Sequence, residues 1–195
     1  MKVTAPQETK LHSKSPALSF KGYNLVRKDR RRNTGGGLAF LIHDSVHFTN
    51  LNLDINDQYI KAQGITLTFH SSKLNILNIY IPPASSCPGH TLDEDMLSPL
   101  FSSDADTLVL GDLNAHNEAW FSRTSCDWAA DWGEVVETAI DGSSLVLLNG
   151  PALTHLLPVP SSPDISFIST HLPPQLSGKF IMPSTRITSR SRHLS

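Results

Sequence analysis

Residues 107–114 have the sequence TLVLGDLN, and the fold prediction rests first on this stretch. Residues 107–110 are apolar or β-branched and predict a short buried strand. This strand continues directly into Gly111, Asp112, Leu113 and Asn114. Because residues i and i+2 of an extended segment point to the same side, the carboxylate of Asp112 and the amide of Asn114 can share one site. Asp and Asn after a strand are also common turn formers, so a plain turn is the alternative interpretation.

Strands dominate the rest of the chain. Pro82 and Pro83 end an apolar segment, and Gly64 is a candidate bulge in an alternating segment. The glycines at residues 35–37 predict a turn rather than a phosphate-binding loop, because a strand instead of a helix follows them. Further strands are predicted at residues 23–26, 38–42, 58–69, 74–81, 145–148 and 164–168.

Two helices are predicted among these strands. The sequence TLDE at residues 91–94 resembles a capping box that opens a short helix, and Pro99 disturbs the end of this helix. Residues 132–141 have apolar side chains at helical spacing, with Asp131 as a cap and Gly142 after the last turn. Several strands with few helices predict a mixed α+β domain built on packed sheets.

The composition is that of an ordinary folded domain. The 195 residues carry a net charge of −2, with 39% hydrophobic and 17% charged residues. These values exclude a disordered chain, a collagen-like chain and a long coiled coil, and the length predicts about one domain. No apolar run reaches the roughly 18 residues of a membrane helix, no secretory signal is visible, and two cysteines define no disulfide framework or zinc site. We therefore expect an intracellular protein without a membrane partner.

Charge is unevenly distributed along the chain. Residues 1–43 contain nine Lys or Arg and two acids, whereas residues 44–142 contain three Lys or Arg and fifteen acids. The densest basic run has two interpretations: a solvated basic loop, or contacts with nucleic-acid phosphates. This run consists of Arg27, Lys28, Arg30, Arg31 and Arg32.

Four short motifs become informative through their order. Taken singly, Glu8 is explained as a surface acid, Tyr80 as an interface aromatic and Asp164 as an acid that starts a strand. In chain order the motifs are Gln7-Glu8-Thr9, Asn78-Ile79-Tyr80-Ile81-Pro82-Pro83, Gly111-Asp112-Leu113-Asn114-Ala115-His116-Asn117 and Ser161-Ser162-Pro163-Asp164-Ile165. Together they resemble the endonuclease/exonuclease/phosphatase superfamily. The resemblance spans residues 2–172 and is greatest to the apurinic-type endonuclease domain of jockey-like non-LTR retrotransposons.

The resemblance implies an α/β fold, a four-layer α/β/β/α sandwich with two facing sheets, and hydrolysis of phosphodiester bonds in DNA. It implies Mg²⁺, or Mn²⁺ in its place, and no small-molecule cofactor. By resemblance, Glu8 is the metal ligand and Tyr80 contacts the scissile phosphate. Asp112 would position or deprotonate the attacking water, and Asn114 would help to bind the phosphate. Asp164 would orient a catalytic histidine near the C-terminus.

The two ends of the chain depart from the family pattern. The family begins with a strand that carries a catalytic Asn before the Gln-Glu-Thr motif, so the domain at residues 1–172 is expected to lack its first strand. The family ends on Ser-Asp-His-Leu-Pro, and the nearest counterpart here is Ser191-Arg192-His193-Leu194-Ser195. His193 would stand for the essential histidine, although Arg192 replaces the carboxylate. The Pro-, Ser-, Thr- and Arg-rich residues 173–195 predict a poorly ordered, divergent tail.

Three functions remain open from the sequence. The first is a Mg²⁺-dependent endonuclease, derived from a retrotransposon, that nicks DNA in an intracellular compartment such as the nucleus. The second is a phosphatase of the same fold. The third is a catalytically inactive remnant with at most weak nucleic-acid binding, which the missing Asn and the replaced carboxylate favour. For an enzyme of this fold, we expect Glu8, Asp112, Asn114 and Asp164 to converge on one cleft.

Overall fold

The computed structural model describes residues 2–30, 36–55, 57–69, 72–122, 127–150 and 164–170. Two short 3₁₀ helices, Ala84–Ser86 and Glu118–Trp120, lie in its loops. The main elements, in chain order, are β1 (Val3–Thr4), β2 (Tyr23–Lys28), β3 (Leu38–His43), β4 (Phe48–Leu51), β5 (Lys61–Phe69), β6 (Ser72–Tyr80), α1 (Glu94–Phe101), β7 (Thr107–Asp112), α2 (Asp127–Asp141), β8 (Leu145–Leu147) and β9 (Asp164–Ser169).

The strands form two sheets. The small sheet has the order β1-β3-β2, and the large sheet has the order β4-β5-β6-β7-β9-β8. Neighbouring strands are antiparallel except β6 and β7, which are parallel. Because a parallel pair needs a crossover connection, α1 lies between these two strands in the chain.

The large sheet is buried on both faces. One face packs against the small sheet, through side chains that include Phe40, Ile76 and Leu108. The other face packs against α1 and α2, through side chains that include Phe101 and Trp132. Buried on two sides, β6 and β7 are nearly continuous in apolar residues, which is why the sequence predicts them well.

The predicted α/β sandwich of two facing sheets is confirmed. Among the described residues it comprises three layers, namely the small sheet, the large sheet and a layer made of α1 and α2. Within this part of the chain no helix is long and apolar enough to cross a lipid bilayer. Residues 173–195, with His193, and residues 33–35 of the predicted glycine turn lie outside the described residues.

The prediction of a bulge at Gly64 is wrong. Gly64 pairs with Leu77 on one side and with Leu51 on the other, without a break in either register. A Cβ at this position would lie 3.0 Å from Leu51 Cβ and 3.2 Å from Leu77 Cδ2. The glycine therefore makes room for neighbouring side chains rather than bending the strand.

Both predicted helix starts are displaced. The N-cap of α1 is Asp93, whose side chain accepts a hydrogen bond from the backbone N–H of Met96, and Thr91 lies outside the helix. Pro99 lies inside α1, which continues to Phe101 because Leu100 and Phe101 are buried against the sheet. The second helix begins at Asp127, so Asp131 lies within it and does not cap it.

Candidate active site at the end of the large sheet

Three of the predicted site residues lie in one row across three neighbouring strands. Tyr80 is the last residue of β6 and lies opposite Asp112, the last residue of β7. Asp112 in turn lies opposite Asp164, the first residue of β9. Residues that are opposite each other in paired strands direct their side chains to the same face. The register therefore brings these three side chains together, although they are far apart in the chain.

This row belongs to the face that packs against the small sheet. Leu108 and Leu110, which precede Asp112 at alternate positions of β7, lie in the core between the sheets. Along this face the rows change from apolar to polar. They run from Ile65, Ile76, Leu108 and Ile168, through Gln63, Asn78, Leu110 and Ser166, to Lys61, Tyr80, Asp112 and Asp164. The site is thus the polar end of the core between the two sheets.

Glu8 reaches this row from the segment that follows β1. The Tyr80 hydroxyl donates a hydrogen bond of 2.7 Å to Glu8 Oε1. The backbone of Glu8 has a φ of 49°, in the left-handed region that non-glycine residues rarely adopt. Hydrogen bonds from Thr9 N to Gly37 O and from Lys10 N to Gly36 O hold the next two residues against the glycine segment. The fold therefore fixes the approach of the Glu8 carboxylate.

Asn78 and Gln7 hold the Glu8 segment against the large sheet. Asn78 is fully buried, and its Nδ2 donates to Pro6 O at 3.2 Å and to Ala39 O at 3.0 Å. Its Oδ1 accepts a bond of 2.7 Å from Gln7 Nε2. Both residues occur in the motifs quoted above, but the sequence patterns did not mark them as site residues. The available signal was an amide within the apolar end of the strand, residues 76–80 (ILNIY), because a buried amide needs partners.

Asn114 takes part in a turn as well as in the site. Its φ is 46°, and its backbone N–H donates to Asp112 Oδ1 at 3.3 Å. Its side-chain Nδ2 donates to the carbonyl oxygen of Ile81 at 2.9 Å. The amide thereby joins the residue that follows β6 to the loop that follows β7. The turn interpretation is confirmed, and the turn itself holds Asn114 beside the row.

Asn149 anchors the start of β9, where Asp164 lies. Its Nδ2 donates to the carbonyl oxygen of Asp164, and its Oδ1 accepts from the backbone N–H of Ser166, both at 2.8 Å. These two bonds pair one side chain with the strand backbone at the position where the carboxylate enters the row. Nothing in the local sequence distinguishes Asn149, since its role depends on a pairing across the fold.

The site is electrostatically negative. Tyr80 is 1% exposed and Asp112 is 5% exposed. Burial raises the pKa of the Tyr80 phenol well above its usual range, and the hydrogen bond to Glu8 and the charges of Glu8 and Asp112 raise the pKa further. The phenol therefore stays protonated and acts as a hydrogen-bond donor. The ammonium of Lys61 lies 5.7 Å from the centre of the Tyr80 ring.

The donor atoms suit a hard cation. Carboxylate and amide oxygens are typical ligands of Mg²⁺, which uses one or two carboxylates together with water and substrate oxygens. Across the described ranges, no group of three or more His, Cys, Asp or Glu side chains is arranged to hold a metal ion. An ion at this place would therefore depend on one or two carboxylates together with water and substrate oxygens, since the described residues form no all-protein cage.

In the basic run, the side chains of Arg27 and Lys28 form hydrogen bonds within the protein. Arg27 donates to both carboxylate oxygens of Asp29, at 2.8 and 2.6 Å, and to the carbonyl oxygens of His12 and Pro16. This pairing holds the pKa of the Asp29 carboxyl below its usual value. Lys28 Nζ donates to the carbonyl oxygen of Ala62 at 2.8 Å. Arg31 and Arg32 lie outside the described residues, and the backbone N–H of Arg30 donates to Leu11 O.

A separate cavity of 440 Å³ lies between the loop after β6 and α2. Its lining includes Cys87, His90 and Trp132, and it contains none of the row residues. His90 Nε2 lies 3.1 Å from an Asp57 carboxylate oxygen. Burial raises the pKa of the Asp57 carboxyl. The hydrogen bonds from the backbone N–H groups of Ile60 and Tyr59 and from the His90 ring outweigh burial, so that this pKa is lowered overall. The cavity and the partly buried His90–Asp57 pair beside it are thus distinct from the row.

Three solved structures have folds similar to that of this chain. The endonuclease domain of TRAS1, a telomere-specific non-LTR retrotransposon, is 15% identical with a TM-score of 0.59, over 77% of this chain and 67% of that one. An AP endonuclease from Archaeoglobus fulgidus is 13% identical with a TM-score of 0.54, over 91% and 78%. The 3′ phosphatase NExo from Neisseria, bound to its product DNA hairpin, is 16% identical with a TM-score of 0.52, over 91% and 78%.

These similarities concern the fold. The chain has the α/β sandwich fold of these structures, one of which is a retrotransposon endonuclease domain, as its motifs predict. No protein-family profile matches the chain, and no curated protein sequence matches it.

Proposed function

We propose that this chain is a metal-dependent phosphodiesterase that nicks DNA. The observation that carries the proposal is the row of Tyr80, Asp112 and Asp164, with Glu8 bonded to Tyr80, at the polar end of the core between the sheets. A row of buried oxygen donors on a rigid sheet suits hydrolysis of an anionic ester, because preorganised groups stabilise the charge that develops. The similarity in fold to DNA-processing enzymes supports DNA as the substrate.

Each side chain has a distinct role in this proposal. Asp112, nearly buried, accepts a proton from the attacking water, and Asn114 binds a phosphate oxygen. Asp164 orients a histidine, for which His193 is the candidate. Tyr80 donates a hydrogen bond from its hydroxyl to a phosphate oxygen and keeps its proton. Because a phenol has one proton, this donation releases Glu8 Oε1 from its present hydrogen bond.

The released carboxylate of Glu8 would hold Mg²⁺, or Mn²⁺ in its place. A bound ion would neutralise charge on the phosphate and favour ionisation of a nearby water. The basic run from Arg27 to Arg32 would contact the DNA backbone, where positive side chains supply most of the sequence-independent affinity. Arg27 and Lys28 would then exchange their present hydrogen bonds within the protein for bonds to phosphates. An endonuclease domain derived from a retrotransposon would also have to reach nuclear DNA.

A plasmid-nicking assay tests the proposal. Purified chain is incubated with supercoiled plasmid and Mg²⁺, with chelator as the metal-free arm. We expect nicking in the Mg²⁺ arm and none in the chelator arm. We expect Asp112→Asn to reduce the nicking rate by about 100-fold or more, because general-base catalysis contributes factors of this size. The matched control is Asp104→Asn, an exposed acid shortly before β7 at the opposite end of that strand. The control should keep the wild-type rate.

Other outcomes separate the remaining functions. Folded wild-type chain that releases inorganic phosphate from a 3′-phosphorylated oligonucleotide, but does not nick plasmid, would be a phosphatase of this fold. A folded chain with neither activity would be an inactive remnant. Equal loss of activity in Asp112→Asn and Asp104→Asn would mean that the row is not the site.

A further inference from the structure

Lys61 occupies the fourth position of the active-site row, and no motif of the sequence draws attention to it. It is the first residue of β5 and lies opposite Tyr80 in the antiparallel pair of β5 and β6. The row therefore continues from Lys61 through Tyr80 and Asp112 to Asp164. Among these four side chains, Lys61 is the one that carries a positive charge.

The ammonium of Lys61 lies between the glycine segment and the Tyr80 ring. A Cβ at Gly36 would lie 2.6 Å from Lys61 Nζ and 3.3 Å from Cδ and Cε, so the lysine side chain passes close to this backbone. Gly36 has a φ of 95°, which an L side chain rarely adopts. Its carbonyl oxygen accepts from the backbone N–H of Lys10, two residues after Glu8. Both a steric and a conformational requirement thus keep a side chain away from the ammonium.

The charge balance of the site calls for such a cation. Glu8, Asp112 and Asp164 supply three carboxylates around the Tyr80 hydroxyl and its strand neighbours. A phosphodiester is itself an anion, so entry into this group is opposed by repulsion that strengthens as water is excluded. A divalent ion held by Glu8 would offset part of this repulsion. A fixed ammonium in the same row offsets more of it, without depending on the metal.

We propose that Lys61 is a phosphate-binding residue, whose ammonium contacts a non-bridging oxygen of the phosphodiester next to Tyr80. This proposal rests on the proposed function, since it takes the row as the site of phosphodiester hydrolysis. A lysine suits the place because it is a compact point charge with three rotatable donors on a flexible stem. Because Gly36 has no side chain, it leaves space for that stem, and the ammonium lies 5.7 Å from the centre of the Tyr80 ring.

The test uses three variants of the full chain. Lys61→Met removes the charge and keeps the approximate length, and Lys61→Arg keeps the charge. The matched control is Lys73→Met, an exposed lysine at the far end of the same hairpin. Circular dichroism and thermal unfolding establish that each variant folds. If Lys61→Met does not fold, Lys61→Gln, which also removes the charge, takes its place in both measurements.

The first measurement is DNA binding without catalysis. Affinity for a short DNA duplex is measured by fluorescence anisotropy in chelator over a series of salt concentrations. Loss of one phosphate contact should reduce the slope of log affinity against log salt by about 0.9 in Lys61→Met. Lys61→Arg and Lys73→Met should keep the wild-type slope. An unchanged slope in Lys61→Met, or a wild-type chain that does not bind the duplex, overturns the proposal.

The second measurement is plasmid nicking with Mg²⁺. We expect Lys61→Met to lower kcat by about 100-fold, as removal of one charge-stabilising donor does, with a smaller change in KM. Lys61→Arg should recover most of this loss, and a structural role alone would not produce that pattern. If neither wild type nor variants nick DNA, the proposed function fails, while the salt slope still decides whether Lys61 binds phosphate.

Discussion

Single polar residues organise the site at the residue scale. Asn78 makes three hydrogen bonds from a fully buried position, to Pro6, Gln7 and Ala39, and so joins three segments of the chain. Each of these bonds satisfies a group that burial would otherwise penalise, which makes the position of the Glu8 segment specific. Tyr80 completes the connection, because its hydroxyl meets Glu8 itself.

The protonation of Tyr80 gives a pH prediction. Because burial and Glu8 raise the pKa of this phenol in the folded state, the unfolded chain ionises first, above about pH 10. The stability that Tyr80 contributes is therefore present below pH 10 and is lost as the pH rises further. We expect Tyr80→Phe to lose less stability than wild type between about pH 9 and pH 11, in urea unfolding followed by circular dichroism.

The control for this prediction is Tyr23→Phe, which removes a phenol from the edge strand β2 of the small sheet. This variant should lose stability with rising pH as steeply as the wild type does. Equal pH dependence in Tyr80→Phe and wild type would contradict the buried, protonated state of Tyr80.

At the scale of elements, a side-chain hydrogen bond and a close backbone contact hold helix α2 against the loop that follows β7. Asn117 Nδ2 donates to Glu137 Oε2 of α2 at 2.6 Å. Gly133 of α2 lies so close to the loop after β7 that a Cβ there would fall on the carbonyl oxygen of His116. Helix α2 therefore lies directly against the loop that follows Asp112 and Asn114, and it restrains the position of that loop.

Gly133→Ala is predicted to destabilise the protein, against the usual trend. In an exposed helix this change gains up to about 1 kcal/mol, because alanine favours the helix. Here the methyl group meets the His116 backbone, so α2 has to move, and overpacking of this kind costs about 1–3 kcal/mol. We expect the free energy of unfolding to fall by this amount in urea denaturation.

Gly142→Ala provides the comparison, since its added Cβ would have no neighbour closer than 3.6 Å. Its free energy of unfolding should stay within about 1 kcal/mol of wild type. A Gly133→Ala protein that is as stable as wild type, or more stable, would show that α2 does not pack against the loop in this way.

At the scale of the whole molecule, one sheet connects two cores. The large sheet contributes side chains to the core facing the small sheet and to the core facing the helices. Neither core can lose its packing without exposing a face of the same strands. The row of Tyr80, Asp112 and Asp164 lies at the end of this shared sheet, so the geometry of the row depends on both cores.

Phe40→Ala tests the coupling of the two cores. Phe40 is fully buried between the sheets, whereas Trp120 and Trp132 lie in the core next to the helices. The variant should lose about 3–5 kcal/mol of stability, because a buried aromatic ring is replaced by a cavity. Tryptophan fluorescence and far-UV circular dichroism should still report one coincident transition, at lower urea concentration.

Phe69→Ala serves as the control, because this side chain is 49% exposed at the end of β5. Its stability should change by less than about 0.5 kcal/mol, as is usual for surface positions. Separate fluorescence and circular dichroism transitions in Phe40→Ala would mean that the cores unfold independently.

Local sequence patterns were enough to predict the strands that are rich in apolar residues. The apolar segments at β3, β6, β7 and β9 and the proline stop after β6 were predictable, because burial on both faces demands nearly continuous apolar residues. The motifs around Glu8, Tyr80, Asp112 and Asp164 also indicated the fold. By contrast, β1 and β4 are two and four residues long, too short for periodicity to identify them.

Which of these residues meet depends on the assembled fold. The register of β5, β6, β7 and β9 aligns the row, adds Lys61 to it and excludes the bulge at Gly64. Strand pairing depends on contacts between residues that are distant in the chain, and local patterns carry no record of them. The partners of Asn78 and Asn149, and the closeness of Gly133 to His116, follow from the same long-range packing. Composition and periodicity specify elements, whereas the assembled sheets specify the site.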